Sequence, residues 1–284
     1  MNFNAFVRLT RLEHALMLCV AVLVGQVVVL GQLPDPLYML LTFFPPFFLE
    51  ISAFTINDYF DVGTDRANRR KDRPLVSGEA KMGEALLIAA ASFIIGVAAG
   101  WLINWECFLI SLAFGAISFA YSYRLKDTPL AGNLYIGLTM AIPFIFGNYS
   151  VSRAMGGPIV TLAIIAFVTG LGREIIGTVR DMEGDRLARR ANTLPMLIGK
   201  QLALMFAAIL LLLAVMLSAV PFLTSPPFKS NMNYAVPIII TDVMLLYVAL
   251  RMMSDSEEFL SQARTVTLAA LAMGLVGFLA GALT

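Results

Sequence analysis

Charge is scarce in this chain. Only 14% of its 284 residues are Asp, Glu, Lys or Arg, and 59% are hydrophobic. Soluble globular domains carry about 25% charged residues, so this composition excludes an ordinary soluble domain. The net charge of +1 is uninformative by itself, and the positions of the charges carry the information instead.

The chain also has few cysteines and histidines and has no glycine-rich phosphate loop. The two cysteines, Cys19 and Cys107, lie in apolar runs, which excludes a disulfide framework and predicts packing roles. With His14 as the sole histidine, a zinc site has no support, and a Ser-His-Asp arrangement would have to use that residue. No glycine-rich phosphate loop occurs, so a nucleotide site of that type has no support either.

Long apolar runs recur from one end of the chain to the other. A helix that crosses a bilayer needs about 20 mainly apolar residues, and strands with edges open to lipid are not viable. We therefore predict an all-α membrane protein, a single domain over 1–284, with nine transmembrane helices around a central cavity. The predicted spans are 13–31, 37–56, 83–103, 106–123, 131–149, 157–177, 201–222, 233–252 and 264–283.

The basic residues predict the orientation. Nine spans put the N-terminus on the same side as the loops near 57–82, 124–130, 173–200 and 251–263. That side holds 18 of the 20 Lys and Arg residues, which the positive-inside rule places in the cytoplasm. Only two of the 19 acidic residues, Asp35 and Glu106, lie on the opposite side. The positive-inside rule depends on Lys and Arg alone, so the clustering of acidic residues on one side requires a separate explanation.

Two acidic clusters follow the second and sixth predicted spans. In "NDYFDVGTD", Asn57, Asp61 and Asp65 are spaced i, i+4 and i+8, so they share one face if the helix continues. In "DMEGD", Asp181 and Asp185 repeat the i, i+4 spacing. Like charges at this spacing are unfavourable unless something neutralises them. Mg²⁺ fits because it prefers carboxylate, amide and phosphate oxygens, although solvated acids that pair with nearby arginines are the alternative.

The segments that follow the clusters resemble one another. "RANRRKDRPLVSG" follows Asp65 and "RLARRANTLPMLIG" follows Asp185, so each arginine-rich loop leads to Pro-x-x-x-Gly and the next span. This pattern predicts a parallel duplication of four-helix units, with chance similarity as the alternative. A duplication would let the two clusters face each other across a central cavity.

Acids that bind Mg²⁺ beside arginines suit a diphosphate ligand, because the metal bridges carboxylate and phosphate oxygens and the basic groups cover the remaining charge. A site that opens into a membrane bundle further suggests a lipid tail. If that tail is allylic, aromatic faces in a dry cavity would shelter a carbocation. The candidate aromatics are Phe54, Tyr121, Tyr123 and Tyr135, with packing as the alternative role. The candidate basic residues are Arg66, Arg69, Arg70, Lys71, Arg73 and Arg186.

An acidic residue within a span predicts a functional site. Glu50 falls within about 20° of the helical face that carries Asn57 and Asp61, so we expect it to line the same cavity. It could take the acceptor's proton or orient the acceptor hydroxyl, and a neutral packing role is the alternative.

Three other charged residues lie within predicted spans. Arg173 and Glu174 precede Asp181 by two turns and are expected to line the cavity, where Arg173 would bind diphosphate or an acceptor phosphate. An ion pair with their neighbours is the alternative. Asp242 is expected to form a structural hydrogen bond with a neighbouring helix.

The two motifs resemble the aspartate-rich motifs of the UbiA superfamily of intramembrane prenyltransferases. The resemblance covers nearly the whole chain, including the number of spans, the motif positions and the orientation. The stretches "RPLVSG", "SYRLKDTPLAGN", "GREIIGTVRDMEGD" and "NTLPMLIGK" are most similar to archaeal members. Those members transfer a geranylgeranyl group from geranylgeranyl diphosphate to geranylgeranylglyceryl phosphate and thus form the second ether bond of archaeal membrane lipids.

The resemblance also implies residue roles. The implied metal ligands, for Mg²⁺, are Asn57, Asp61, Asp181 and Asp185, with Asp58 and Asp65 as supporting members. The implied diphosphate contacts are Arg66 and Lys126. Family members often have Tyr four residues before this lysine, where the chain has Ser122 between two tyrosines. We take Asp61, Asp185 and Glu50 as the catalytic candidates, and Arg66, Arg69, Lys126, Arg173 and Tyr123 as the substrate-binding candidates.

Other functions remain as alternatives. "RLEHA" near the N-terminus is similar to quinone-type relatives, so an aromatic acceptor such as 4-hydroxybenzoate or a quinone precursor stays open. A cation-coupled transporter is disfavoured because both clusters lie at the membrane edge and not at its midplane. A lipid-binding protein without activity is disfavoured by the intact acids. The expected partners are an isoprenyl diphosphate, a lipid or phenolic acceptor and membrane lipids, with no nucleic acid or protein partner implied.

Overall fold

The computed structural model describes residues 1–67, 69–189, 192–252 and 256–284, in which helix predominates and no strand occurs. A short 3-10 helix at Leu125–Asp127 follows the sixth α-helix. The twelve α-helices of the described residues are α1 (Phe3–Thr10), α2 (Leu12–Leu30), α3 (Pro36–Ala67), α4 (Pro74–Ser77), α5 (Met82–Ile103), α6 (Trp105–Tyr123), α7 (Ala131–Val151), α8 (Gly157–Arg189), α9 (Leu194–Ile198), α10 (Lys200–Thr224), α11 (Met232–Arg251) and α12 (Glu257–Ala282).

Within the described ranges, nine of these helices are long and apolar enough to cross a membrane, which confirms the predicted number of spans. They are α2, α3, α5, α6, α7, α8, α10, α11 and α12. The predicted spans end at 56 and 177, and α3 and α8 continue as helix well past the point where the apolar run stops. The end of an apolar run marks where a helix leaves the lipid. The helix itself continues for as long as the residues that follow favour helical structure.

The two longest helices carry the two acidic clusters. With 32 and 33 residues, α3 and α8 are each about 50 Å long, well beyond the roughly 30 Å of a hydrocarbon core. Each cluster therefore lies on a helical extension at the end of a span. The helical continuation confirms that Asn57, Asp61 and Asp65 share one face of α3.

The same order of elements follows both extensions. Short α4 and short α9 each have a proline in the first turn, Pro74 and Pro195. Both end at a glycine with positive φ, at 81° in Gly78 and 90° in Gly199, before the next spanning helix begins. A four-helix duplication predicts this order, and the duplication itself stays a prediction.

Close helix contacts hold the bundle together around α7 and α8. A Cβ added at Gly147 of α7 would lie 2.3 Å from the carbonyl oxygen of Val22 in α2, so only glycine permits this approach. The buried residues of α8 pack against α10, α11 and α12 in one apolar cluster. On the other side of the bundle, α3 packs against α5 and α6. The space enclosed between these two groups of helices is where the polar residues of both long helices meet.

Apolar side chains cover the outside of the bundle, and some of the polar groups inside it form hydrogen bonds between helices. Leu37 and Leu250 expose 80% and 77% of their surface, as expected for residues in contact with lipid. Asp242 accepts a hydrogen bond of 2.8 Å from the Ser218 hydroxyl of α10, in agreement with the expected structural role. Cys19 and Cys107 are buried and free, which confirms their packing role.

Candidate active site

A polar cavity of about 550 Å³ lies between the two acidic clusters. Both long helices line it, and so do the end of α6, the 3-10 helix and α12. The structure thus brings together residues that are more than a hundred positions apart in the chain. The charged and amide residues that line it are Arg11, Glu50, Asn57, Asp61, Asp65, Arg70, Arg73, Lys126, Arg173, Glu174, Arg180, Asp181, Asp185 and Arg264.

One wall is built around Lys126. Its ammonium group donates to Asp61 Oδ1 at 2.5 Å and to Asn57 Oδ1 at 3.2 Å. The Asn57 amide donates to the other Asp61 oxygen at 3.0 Å. Lys126 is 9% exposed and Asp61 13% exposed, so the attraction between these charges is only weakly screened by water. The structure therefore places Lys126 against the first motif, and its predicted contact with a diphosphate stays a prediction.

The opposite wall is built around Asp181. The Arg180 guanidinium donates to both Asp181 oxygens, at 2.7 and 2.8 Å, in the bidentate geometry that arginine favours with carboxylates. Arg264 of α12 approaches the same carboxylate at 3.7 Å. Asp185, one turn further along α8, also lines the cavity. The sequence analysis missed both arginines, although Arg264 lies in a membrane span and could have been found by the rule applied to Arg173.

Asp58 lies elsewhere. Its side chain is 2% exposed and does not line the cavity. Its carboxylate accepts hydrogen bonds from Arg11 at 2.7 Å and from Arg73 at 3.0 and 3.3 Å. The residue next to Asn57 on a helix is rotated by about 100°, which turns Asp58 away from the acidic face. We therefore do not retain Asp58 among the proposed metal ligands and assign it the role of joining α3 to the α1–α2 junction and to the loop before α4.

We expect Asp58→Asn to lower the free energy of unfolding by about 3 kcal/mol, because removing one partner leaves buried guanidinium charge uncompensated. The measurement is thermal or denaturant unfolding in detergent. Asp72→Asn is the matched control, since Asp72 pairs with Arg70 at the surface and should change stability little. An increased Mg²⁺ requirement in Asp58→Asn, with unchanged stability, would contradict this role.

Three other predicted substrate-binding residues face outward. Arg66 and Arg69 are exposed and do not line the cavity. Tyr123 is 64% exposed and packs its ring on Phe60 at 5.7 Å. The expectation that these residues reach a bound substrate is not matched by their placement, and we do not retain it. Of the basic loop, the residues that do line the cavity are Arg70 and Arg73.

Glu50 lies where the polar cavity meets apolar space. It lines the cavity itself and two smaller, mainly apolar chambers, which confirms that it shares the face of the first motif. The α3–α6 chamber, about 70 Å³, continues between α3, α6 and α7 and includes Pro45, Phe114 and Tyr135. The α2–α12 chamber, about 110 Å³, continues between α2, α8, α11 and α12 and includes Leu162 and Phe278.

Three of the candidate aromatic residues line the polar cavity. Two of them are Tyr121 and Tyr135, whose rings are 5.0 Å apart. The third is Phe54, which the His14 ring meets edge to face at 5.2 Å and the Arg11 guanidinium covers at 4.2 Å. Tyr121 is therefore better placed than Tyr123 to contact a molecule in the cavity.

The oxygen donors of both walls are of the kind that Mg²⁺ prefers. Among the described residues, no three or more His, Cys, Asp or Glu side chains converge on one point as a metal site. The donors stand instead on two walls, Asn57 and Asp61 on one and Asp181 and Asp185 on the other. This arrangement fits ions that take one or two carboxylates each and complete their coordination with phosphate oxygens and water.

Fold and site together define a multi-pass membrane protein whose cavity combines two acidic walls with several basic side chains and opens into apolar chambers. The model of the UbiA prenyltransferase family matches residues 18–270. The chain belongs to this family and is a prenyltransferase.

Relatives of known name cover the chain almost completely. The chain is 42% identical over 275 residues to digeranylgeranylglyceryl phosphate synthase of Archaeoglobus fulgidus. These residues are 96% of this chain and 94% of that protein. The synthase of the same name from Thermococcus kodakarensis is 32% identical over 284 residues, 100% of this chain and 99% of the relative.

Solved structures have the same fold. One of them comes from work on digeranylgeranylglyceryl phosphate synthase in membranes. It superposes with a TM-score of 0.77 at 29% identity, and the match covers 99% of this chain and 98% of the solved chain. A UbiA homologue from Archaeoglobus fulgidus, bound to GPP and Mg²⁺, superposes with a TM-score of 0.67 at 22% identity, covering 96% of this chain and 99% of its own.

Proposed function

We propose that the protein transfers the geranylgeranyl group of geranylgeranyl diphosphate to the free hydroxyl of geranylgeranylglyceryl phosphate, which yields digeranylgeranylglyceryl phosphate. The observation that carries this proposal is the 42% identity, over nearly the full length of both chains, to a protein named for that product. The cavity supports it, because a polar space for charged head groups adjoins two apolar spaces suited to isoprenoid chains.

The proposed donor site lies between the two acidic walls. Asn57, Asp61, Asp181 and Asp185 would hold Mg²⁺, which neutralises the diphosphate and stabilises it as a leaving group. A UbiA homologue bound to GPP and Mg²⁺ supports this assignment by analogy of fold. Lys126 and Arg73 donate hydrogen bonds to the remaining phosphate oxygens as negative charge develops on them.

In the transfer step, the acceptor oxygen bonds to C1 of the donor chain while the bond between C1 and the diphosphate oxygen breaks. The allylic chain carries the positive charge, and Tyr121, Tyr135 and Phe54 present ring faces to it. The hydroxyl proton moves to the Glu50 carboxylate, which lies at the junction of the polar cavity and both chambers. Diphosphate and the ether-linked product then leave.

We place the mouth of the cavity at the cytoplasmic face of the cell membrane. The cavity residues Lys126 and Asp185 lie at the end of the bundle where 18 of the 20 basic residues are found. The positive-inside rule supports the cytoplasmic side for that end. Isoprenyl diphosphates with their charged heads would then enter from the cytoplasmic leaflet.

An acceptor assay tests the proposed function. Purified protein receives labelled geranylgeranyl diphosphate and Mg²⁺ together with geranylgeranylglyceryl phosphate or, in parallel, 4-hydroxybenzoate. We expect product with the glycerol phosphate lipid and at least about 100-fold less with the phenol, because the apolar chambers suit an acceptor with an isoprenoid chain, which the phenol lacks. Transfer to the phenol alone would contradict the proposal and favour an aromatic acceptor.

A further inference from the structure

One face of α8 lacks a side chain at Gly177, and Arg264 of α12 occupies the space there. Arg173, Gly177 and Asp181 are spaced i, i+4 and i+8, so they form a single stripe that faces the cavity. A Cβ added at Gly177 would lie 3.2 Å from Cζ of Arg264 and 3.3 Å from its Nε and Nη1. Glycine is an unfavourable residue inside a helix, and here it allows the guanidinium of α12 to lie directly against α8.

This placement brings a second guanidinium to the stripe that carries Arg173. Because Gly177 is one turn from Arg173, the Arg264 guanidinium lies against α8 about 6 Å along the helix axis from the backbone of Arg173. The contact of Arg264 with Asp181, at 3.7 Å, is longer than a hydrogen bond, and Arg180 already donates to both oxygens of that carboxylate. The neighbouring acid Glu174 lines the same part of the cavity and offsets part of the positive charge.

Arg173 has unused capacity to bind an anion. Its Nε is buried and has no hydrogen-bond partner within the part of the chain that the structure describes. A buried donor without a partner is costly, and an anion between the two guanidiniums would satisfy it and reduce their mutual repulsion. Arg173 also lines the α2–α12 chamber, which none of the residues proposed for the donor site lines, so an anion held there would lie beside the donor diphosphate and not in its place.

The space beside Arg173 indicates what kind of anion fits. Arg173 lines the polar cavity and also the α2–α12 chamber, whose wall is mostly apolar. An anion on Arg173 would therefore have an apolar space directly next to it. This suits a phosphate that carries a lipid tail better than a free phosphate ion.

We propose that Arg173 and Arg264, brought together across Gly177, bind the phosphomonoester of the acceptor lipid as a second anion site, distinct from the donor diphosphate site. This inference rests on the proposed function, in which the acceptor carries a phosphate. The α2–α12 chamber would receive the acceptor's chain.

The test compares a phosphorylated with a dephosphorylated acceptor. At saturating geranylgeranyl diphosphate and Mg²⁺, kcat/KM is measured for geranylgeranylglyceryl phosphate and for geranylgeranylglycerol. We expect wild type to prefer the phosphorylated acceptor, and Arg264→Gln to reduce that preference at least tenfold, with a smaller change in the KM of the donor. Gly177→Ala should reduce it in the same direction without lowering the unfolding temperature, because the new methyl group displaces only the end of a flexible side chain.

The matched control is Arg251→Gln. Arg251 lies at the end of α11 over the rings of Tyr247 and Phe259, outside the cavity, and its replacement should leave the preference unchanged. Inorganic phosphate is the tail-free probe, and we expect weak inhibition that competes with the acceptor and is lost in Arg264→Gln.

Distinct results would overturn the inference and the proposed function. An equal loss of activity on both acceptors in Arg264→Gln, or a raised donor KM with the preference intact, would overturn the second anion site. Inhibition by inorganic phosphate that competes only with the donor would do the same. If wild type transfers to neither acceptor, the proposed function itself fails, whatever the variants show.

Discussion

Asp61→Asn should lower prenyl transfer at least about 100-fold, which corresponds to about 3 kcal/mol of transition-state stabilisation. Asparagine keeps the size of the side chain and an oxygen for Lys126 but removes the negative charge. Asp61 shares Lys126 with Asn57, so one substitution alters the charge of the whole wall. Product formation from labelled donor, at saturating acceptor and Mg²⁺, is the measurement, and Asp185→Asn on the opposite wall should show a loss of similar size.

The matched control for Asp61→Asn is Asp72→Asn. Asp72 lies in the loop that follows the first motif, is 63% exposed and does not line the cavity. A hydrogen bond from Arg70 lowers the pKa of Asp72, so the control also removes an ionised carboxylate at neutral pH. It should keep transfer within about twofold of wild type. Wild-type activity in Asp61→Asn, with the protein folded, would contradict the assignment of the first wall.

Removal of divalent metal should abolish transfer, with a loss of at least about 100-fold that excess Mg²⁺ reverses. The reason is electrostatic: a diphosphate placed beside Asp61, Asp181 and Asp185 meets strong repulsion unless a cation lies between the two sets of oxygens. The assay adds a chelator to the purified protein and then titrates Mg²⁺. Asn57→Ala should need more Mg²⁺ for half-maximal activity than wild type, since it removes one neutral ligand and keeps the acids.

The outcome that contradicts this expectation is activity that persists in the chelator. The Arg251→Gln variant serves as a control for the titration, because it changes charge outside the cavity and should need the same Mg²⁺ concentration as wild type. A shift of similar size in both variants would indicate a non-specific effect of substitution and not a ligand role for Asn57.

Periodicity along a single helix was sufficient to predict one wall of the cavity. Asn57, Asp61 and Glu50 were placed on a common face from their spacing, and all three line the cavity. The same rule could have excluded Arg66 and Asp58, because each is rotated by about 100° from a neighbour on that face. Both residues were assigned from the family resemblance, which does not take this rotation into account, and neither lines the cavity.

Contacts between helices could not be predicted from spacing. Asp58 is paired with Arg11 and Arg73, which are 47 and 15 residues away. No local sequence pattern predicts these pairs. Arg264 approaches Asp181 only because α12 packs on α8 at Gly177. Tyr121 and Tyr123 differ by about 200° around α6, and only the packing of that helix decides which of them faces inward.

The span boundaries show a similar limit. An apolar run ends where the chain leaves lipid, whereas α3 and α8 continue as helix to Ala67 and Arg189. The acidic clusters thus lie on rigid helical extensions and not in loops. A rigid extension holds side chains at fixed distances, which is what a site shared by two helices needs.

A double-mutant cycle for donor binding tests most directly whether the two walls hold one ligand together. Binding of geranylgeranyl diphosphate in Mg²⁺ is measured for wild type, Asp61→Asn, Asp185→Asn and the double variant. If both carboxylates share the same metal-bound diphosphate, each single change should weaken binding strongly and the double change little further, with a coupling energy of at least about 1 kcal/mol. Additive losses, or unchanged affinity in either single variant, would contradict a shared site.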